Sequence, residues 1–209
     1  MAKKQAWPRQ PSDRQWEKPE GDDPRTLYQM LMVSQEMFGE EPCIGYIPSP
    51  GMPREHLTYN QFGDLATTVA KGLRDIGVEK GDRVAIIIDN SVQWAALSYG
   101  ANALGAAYTA MYTHQHGKDW AYILGDATPK VVAVANTEVL DKLCGALDDD
   151  AWPASGVILL GDEPANQLPP EGVTVRSWME FVQAGRAGDD LAEIADDPSA
   201  LSTLIYTSG

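Results

Sequence analysis

From Arg83 to Tyr206 the chain alternates short apolar runs with segments of helical character, and no other feature restricts its fold as much. "RVAIII", "AAYTAMY", "KVVAVA", "GVILL", "VTV" and "ALSTLIY" read as strands, and "VQWAALSYGANAL", "KDWAYIL", "TEVLDKLCGAL" and "WMEFVQA" as the helices between them. Strands without polar alternation are buried on both faces, and strands joined by helical crossovers run parallel. The predicted fold class is α/β, a mostly parallel sheet flanked by helices.

The segment before Arg83 carries the sharpest local signal. Tyr59, Phe62, Ala66, Val69, Leu73 and Ile76 step by helical intervals and form one apolar stripe. Thr58 and Gln61 have the spacing of a capping box, and Gly77 supplies a stop. Asn136 before one later helix, and Ser177 with Glu180 before another, repeat the capping logic. "PCIGYIPSPGMPREHLTY" reads as two short strands around a Pro/Gly-rich turn. Asp23-Pro24 predicts the cap and first position of a helix with Leu27, Met30, Leu31 and Met37 on its packed side, the methionines filling core space. Residues 1–22 are polar and proline-bearing and read as a mobile arm that Trp7 and Trp16 could pin to the domain, so residues 23–209 are the expected folded portion.

Composition narrows the function. With 30 acidic against 16 basic residues the net charge is −14, which repels phosphate backbones, so nucleic acid is not an expected partner. The clusters Asp148-Asp149-Asp150, Asp189-Asp190 and Asp196-Asp197 lack the interleaved spacing of a calcium loop and read as solvated turns. Cys43 and Cys144 stand about a hundred positions apart, which fits a reduced compartment, and the N-terminal residues hold no apolar run of signal or transmembrane length. The expected location is cytoplasmic.

Several motifs can be weighed. Gly100 to Gly105 has the glycine spacing of a Walker loop, but Ala106-Ala107 stand where lysine and hydroxyl are needed. Neither a G-x-G-x-x-G nor a G-x-S-x-G pattern occurs. His114-Gln115-His116 follows a strand end, yet the pair has no third ligand near it in sequence and reads as loop polarity rather than a metal site. Thr207-Ser208-Gly209 places hydroxyls and glycine at the end of an apolar strand, Leu204-Ile205-Tyr206, read as buried. In such a loop backbone N–H groups can converge on phosphate oxygens, although an ordinary turn has the same spacing.

The stretch from "LTYNQFGDLATTVAKGLRDIGVEKGDRVAIIIDN" through "YILGDATPKVVAVAN" to "DDPSALSTLIYTSG" resembles the N-terminal part of the large domain of the adenylate-forming, AMP-binding superfamily. Tyr108-Thr109, Met111-Tyr112-Thr113 and "LIYTSG" are similar to its long-chain fatty acyl-CoA synthetases, and the resemblance runs from about Leu27 to Gly209. It implies a ligase that uses ATP and Mg2+ to convert a fatty acid to an acyl-adenylate and then passes the acyl group to coenzyme A. Thr207, Ser208 and Gly209 then open a phosphate-binding loop that the family continues as Thr-Thr-Gly-x-Pro-Lys-Gly. By that resemblance the chain stops inside the motif, and the remaining catalytic groups lie beyond Gly209.

These 209 residues alone are expected to be inactive, and open sheet edges are expected to make them self-associate. A fatty acyl-AMP ligase or a carrier-loading adenylation domain is the alternative within the superfamily, and a stand-alone α/β binding domain is the alternative outside it. His114-Gln115-His116 departs from the small or acidic residues the family has there, so acyl specificity is not read from this loop.

Overall fold

The structure is a computed structural model that describes residues 23–148, 152–161 and 163–207. The expected arm at 1–22, Asp149-Asp150, Ser208 and Gly209 lie outside the described residues.

The element order is α1 (Leu27–Phe38), β1 (Pro42–Tyr46), β2 (Glu55–Thr58), α2 (Tyr59–Asp75), β3 (Arg83–Ile87), α3 (Val92–Ala103), β4 (Ala107–Met111), α4 (Gly117–Ala127), β5 (Val131–Val134), α5 (Thr137–Cys144), β6 (Gly156–Leu159), β7 (Thr174–Ser177), α6 (Trp178–Ala187) and β8 (Thr203–Leu204). β1 and β2 form an antiparallel pair, and the other six strands form one sheet in the order β7-β6-β5-β3-β4-β8, every pairing parallel.

The two faces of this sheet are read directly from alternate residues. Val84, Ile86, Val131, Ala133 and Ile158 pack beneath the helices α1, α2, α3 and α6. Ala85, Ile87, Val132, Val134 and Val157 face the other way, against Trp120, Ile123 and Leu124 of α4 and Val139, Leu140 and Leu143 of α5. Residues 84–88 are buried throughout because each successive side chain meets a helix layer, on one face or the other.

The helix stripe holds: Phe62, Ala66, Val69 and Leu73 of α2 are buried, and the Thr58–Gln61 capping box is formed in both directions. Ser177 and Glu180 form the second box, and Asn136 caps α5 through Val139 N. The Walker-like glycine spacing has a packing explanation. A Cβ on Gly100 would lie 2.7 Å from Val69 Cγ1, so this glycine lets α3 approach α2, while Gly105 ends α3 with φ +71°.

Three readings are corrected. The α1 cap is Thr26, whose hydroxyl accepts from Gln29 N, so Asp23-Pro24 lie outside the helix. The packed face is also turned: Tyr28 and Leu31 are buried, while Leu27 and Met30 are exposed and Met30 is not core filler. At the other end β8 has two ladder residues rather than a buried run through Tyr206, and Ile205 is 78% exposed. Among the described residues β8 has β4 as its one neighbour, and the side chain of Ile205, which projects from the sheet face, is not covered by a helix layer.

Candidate active site

Parallel α/β sheets bind ligands beyond the carboxyl ends of their strands, where the chain turns into helices and loops. A cleft of about 930 Å³ opens there at the ends of β3, β4 and β8. Ile88, Asp89 and Asn90 enter it from β3, Met111, Tyr112 and Gln115 from β4, and the segment Thr203 to Thr207 from β8. Trp94 of α3 and Tyr108 of β4 also line it and meet edge to face, with ring centroids 5.9 Å apart. Such aromatic pairs resist displacement and give the floor a defined shape.

The loops around the cleft are cross-linked. Thr113 Oγ1 donates to Asp89 Oδ1 at 2.8 Å, tying the ends of β3 and β4 together. Tyr112 N donates to Gln115 Oε1 at 3.0 Å, and Trp120 Nε1 donates to the Tyr112 carbonyl at 3.1 Å. Lys142 Nζ donates to the Gln115 carbonyl and sits 4.5 Å from the Trp120 ring centroid. The turn between β4 and α4 is therefore fastened to both helices on its face of the sheet.

Of the residues predicted for phosphate binding, Thr207 lines the cleft and is exposed. Ser208 and Gly209 continue past it, outside the described residues. His114 and His116 are both exposed, and His116 stands at the N-cap of α4 without a side-chain capping bond. Among the described residues no group of three or more His, Cys, Asp or Glu gathers as a metal site. The middle member of that triplet, Gln115, is the one that shapes the cleft.

Sequence reasoning missed the groups that hold β8. Asn102, 7% exposed in α3, donates from Nδ2 to the carbonyls of Ala106 at 3.2 Å and Ser202 at 3.1 Å, and its Oδ1 accepts from Ser202 Oγ at 2.7 Å. A lone amide inside the apolar run "SYGANAL" was the available signal, because a buried amide needs partners. Tyr206 OH donates to Asp126 Oδ2 of α4 at 2.6 Å, a pair eighty positions apart with no local pattern to announce it. Burial first, and then the Asp126 carboxylate, push the Tyr206 phenol up to about 12.

The cysteines form no disulfide, and no helix among the described residues is long and apolar enough to cross a membrane.

Comparison with known proteins agrees with this architecture. The long-chain-fatty-acid–CoA ligase ACSBG1 of Bos taurus is 26% identical over 194 residues, which are 89% of this chain and 25% of that protein. The chain thus spans about a quarter of that relative's length. Among solved structures, a fatty acyl CoA synthetase of Mycobacterium tuberculosis matches with a TM-score of 0.64 and 25% identity, over 88% of this chain and 33% of its own. The anthranilate CoA ligase AuaEII, in complex with anthranoyl-AMP, shares the fold with a TM-score of 0.70 at 20% identity, over 88% of this chain and 32% of its own. The family described as AMP-binding enzyme matches residues 34–209. With its parallel sheet, its cleft at the strand ends and that match over most of its length, this chain belongs to the AMP-binding enzyme family.

Proposed function

We propose that residues 23–209 are the N-terminal portion of the AMP-binding domain of an ATP-dependent fatty acid–CoA ligase, with residues 1–22 an arm ahead of it. The observation that carries this reading is the course of β8, which delivers Thr207 into the same cleft that the ends of β3 and β4 line. Thr207, Ser208 and Gly209 would contribute hydroxyls and backbone N–H groups to the nucleotide phosphates. The volume of about 930 Å³ lies within the range of roughly 300–1,000 Å³ typical of small-molecule sites. Aromatic and apolar walls beside a few polar groups suit an adenylated carboxylate.

The same lining explains why the 209 residues are proposed to be inactive alone. Among the described residues the cleft wall carries Asp89 and no lysine or arginine. A triphosphate beside a carboxylate, in a chain of net charge −14, needs cations that these residues do not provide. Mg2+ and the loop lysine implied by the family would supply that charge, and coenzyme A would accept the acyl group in the full-length parent. The location proposed for the parent is cytoplasmic.

Pyrophosphate release from ATP tests both statements, with a series of fatty acids, Mg2+ and coenzyme A. The full-length parent is expected to turn over only when acid is present and to yield the acyl thioester; acid-independent or absent release overturns the ligase reading. The 209-residue chain is expected to match the no-enzyme blank, and turnover above it overturns the proposed inactivity.

A further inference from the structure

β8 is the weakest strand of the sheet by its ladder, yet it must aim the segment that enters the cleft. Only Tyr108↔Thr203 and Thr109↔Leu204 pair it to β4, and the chain leaves the sheet at the exposed Ile205. A two-residue edge ladder frays readily. Side chains take over at both ends. Before the strand, the buried Asn102 grips Ser202 through its backbone and its hydroxyl. After it, Tyr206 lines the cleft and lays its ring against the α4/α5 cluster, where its hydroxyl reaches Asp126.

Asp126 is a firm anchor. It lies in the last turn of α4, and the end of that helix is fastened to the first residue of β3. Arg83 Nε donates to the Ala127 carbonyl at 2.7 Å, and its Nη2 donates to the Thr128 carbonyl at 3.0 Å. An O–H donor on a carboxylate at 2.6 Å is a charge-assisted bond, among the stronger hydrogen bonds a side chain can make. Thr207 follows Tyr206 directly, so the place where Tyr206 is held sets where the next backbone N–H begins.

We propose that the Tyr206–Asp126 bond is a latch that positions Thr207 at the cleft, making Tyr206 a positioning residue for ATP. The inference rests on the ligase reading for its ligand but on geometry alone for its latch. The ring of Tyr206 fixes its place on α4, and the hydroxyl fixes the distance. Removing the hydroxyl leaves the fold and frees the loop.

The test uses the full-length parent with Tyr206→Phe, Asp126→Ala, Asp126→Asn and the double variant Tyr206→Phe/Asp126→Ala. Loss of one charge-assisted bond is worth about tenfold in an equilibrium. Tyr206→Phe and Asp126→Ala are expected to raise the KM for ATP by about that factor, with kcat within about twofold and the KM for the acid unchanged. The double variant should match either single one, because both remove the same bond. Asp126→Asn keeps an oxygen acceptor without the charge and should fall between the wild type and Asp126→Ala. Amide hydrogen exchange without ligand should quicken at residues 205–207 in the first two variants and not elsewhere in the sheet. Unchanged exchange in Tyr206→Phe overturns the latch, and quickened exchange with an unchanged KM for ATP overturns its role in positioning. A parent with no ATP-dependent turnover overturns the ligase reading instead, and exchange alone then decides the latch.

Discussion

Strands β3 and β8 lie in one sheet with only β4 between them, and they are held by different physics. β3 is paired along its length to β4 on one side and to β5 on the other, and Val84 through Ile88 are buried under helices on both faces. β8 has two paired residues, both half-buried, and depends on Asn102 and Tyr206 for its position. Burial of apolar surface is insensitive to direction, whereas hydrogen bonds fix distances and angles. The sheet thus uses bulk packing where it needs stability and directional bonds where it needs placement, next to the cleft.

Substitution in the two strands separates these roles. Ile86 is fully buried in β3, and Ile86→Ala is expected to cost about 2–5 kcal/mol in chemical denaturation. Leu204→Ala in β8 removes a half-buried side chain from a sheet edge and should cost about 1 kcal/mol. Equal losses at the two positions would mean that β8 is a packed core strand and would end the contrast.

Asn102→Ala comes next in size. It strips the donor from the Ala106 and Ser202 carbonyls and the acceptor from Ser202 Oγ. Leaving such groups unsatisfied costs about 1–3 kcal/mol. The Tyr108 amide, which donates to the Ser202 carbonyl at 3.1 Å, should exchange faster with solvent while amides of β3 and β5 do not. A loss spread evenly over the sheet would show that Asn102 supports the core and not β8 in particular.

The same contrast explains what could be read from the sequence. β3, α2 and the caps at Thr58, Asn136 and Ser177 were legible because each rests on a local pattern of a few residues. The start of α1 was misplaced because Asp23-Pro24 and Thr26 offer competing caps, and Thr26 wins with its hydroxyl on Gln29 N. The burial of Leu204-Ile205-Tyr206 was overstated, since apolar composition says nothing about whether a strand has two neighbours. Asp89 and Gln115 of the cleft, with Thr113 beside it, were invisible as a group: polar residues at strand ends are common, and only the folded sheet brings Asp89 and Thr113 together. The sequence points to Thr207 through the resemblance of its loop, not through any spacing that physics requires, and the fold adds that it lines the cleft.

The smallest expected effect lies between the two strands, at Thr109 of β4. Its register partners are Ala85 of β3 and Leu204 of β8, and its side chain is fully buried. Ala85 faces the α4/α5 layer, so Thr109 points the same way, and its Oγ1 has no hydrogen-bond partner among the described residues. Burying a hydroxyl without a partner costs free energy that a methyl group of the same shape does not. Thr109→Val should therefore stabilise the protein by about 1 kcal/mol, raising Tm by roughly 2–4 °C. The gain should come from the packed interior alone, leaving hydrogen exchange at Thr203 and Leu204 unchanged, because what holds β8 is fastened at its ends rather than beside Thr109. A fall in Tm would show that the hydroxyl is satisfied in solution. A rise accompanied by slower exchange in β8 would show that packing against β4, and not the Asn102 and Tyr206 bonds, sets the position of the strand that enters the cleft.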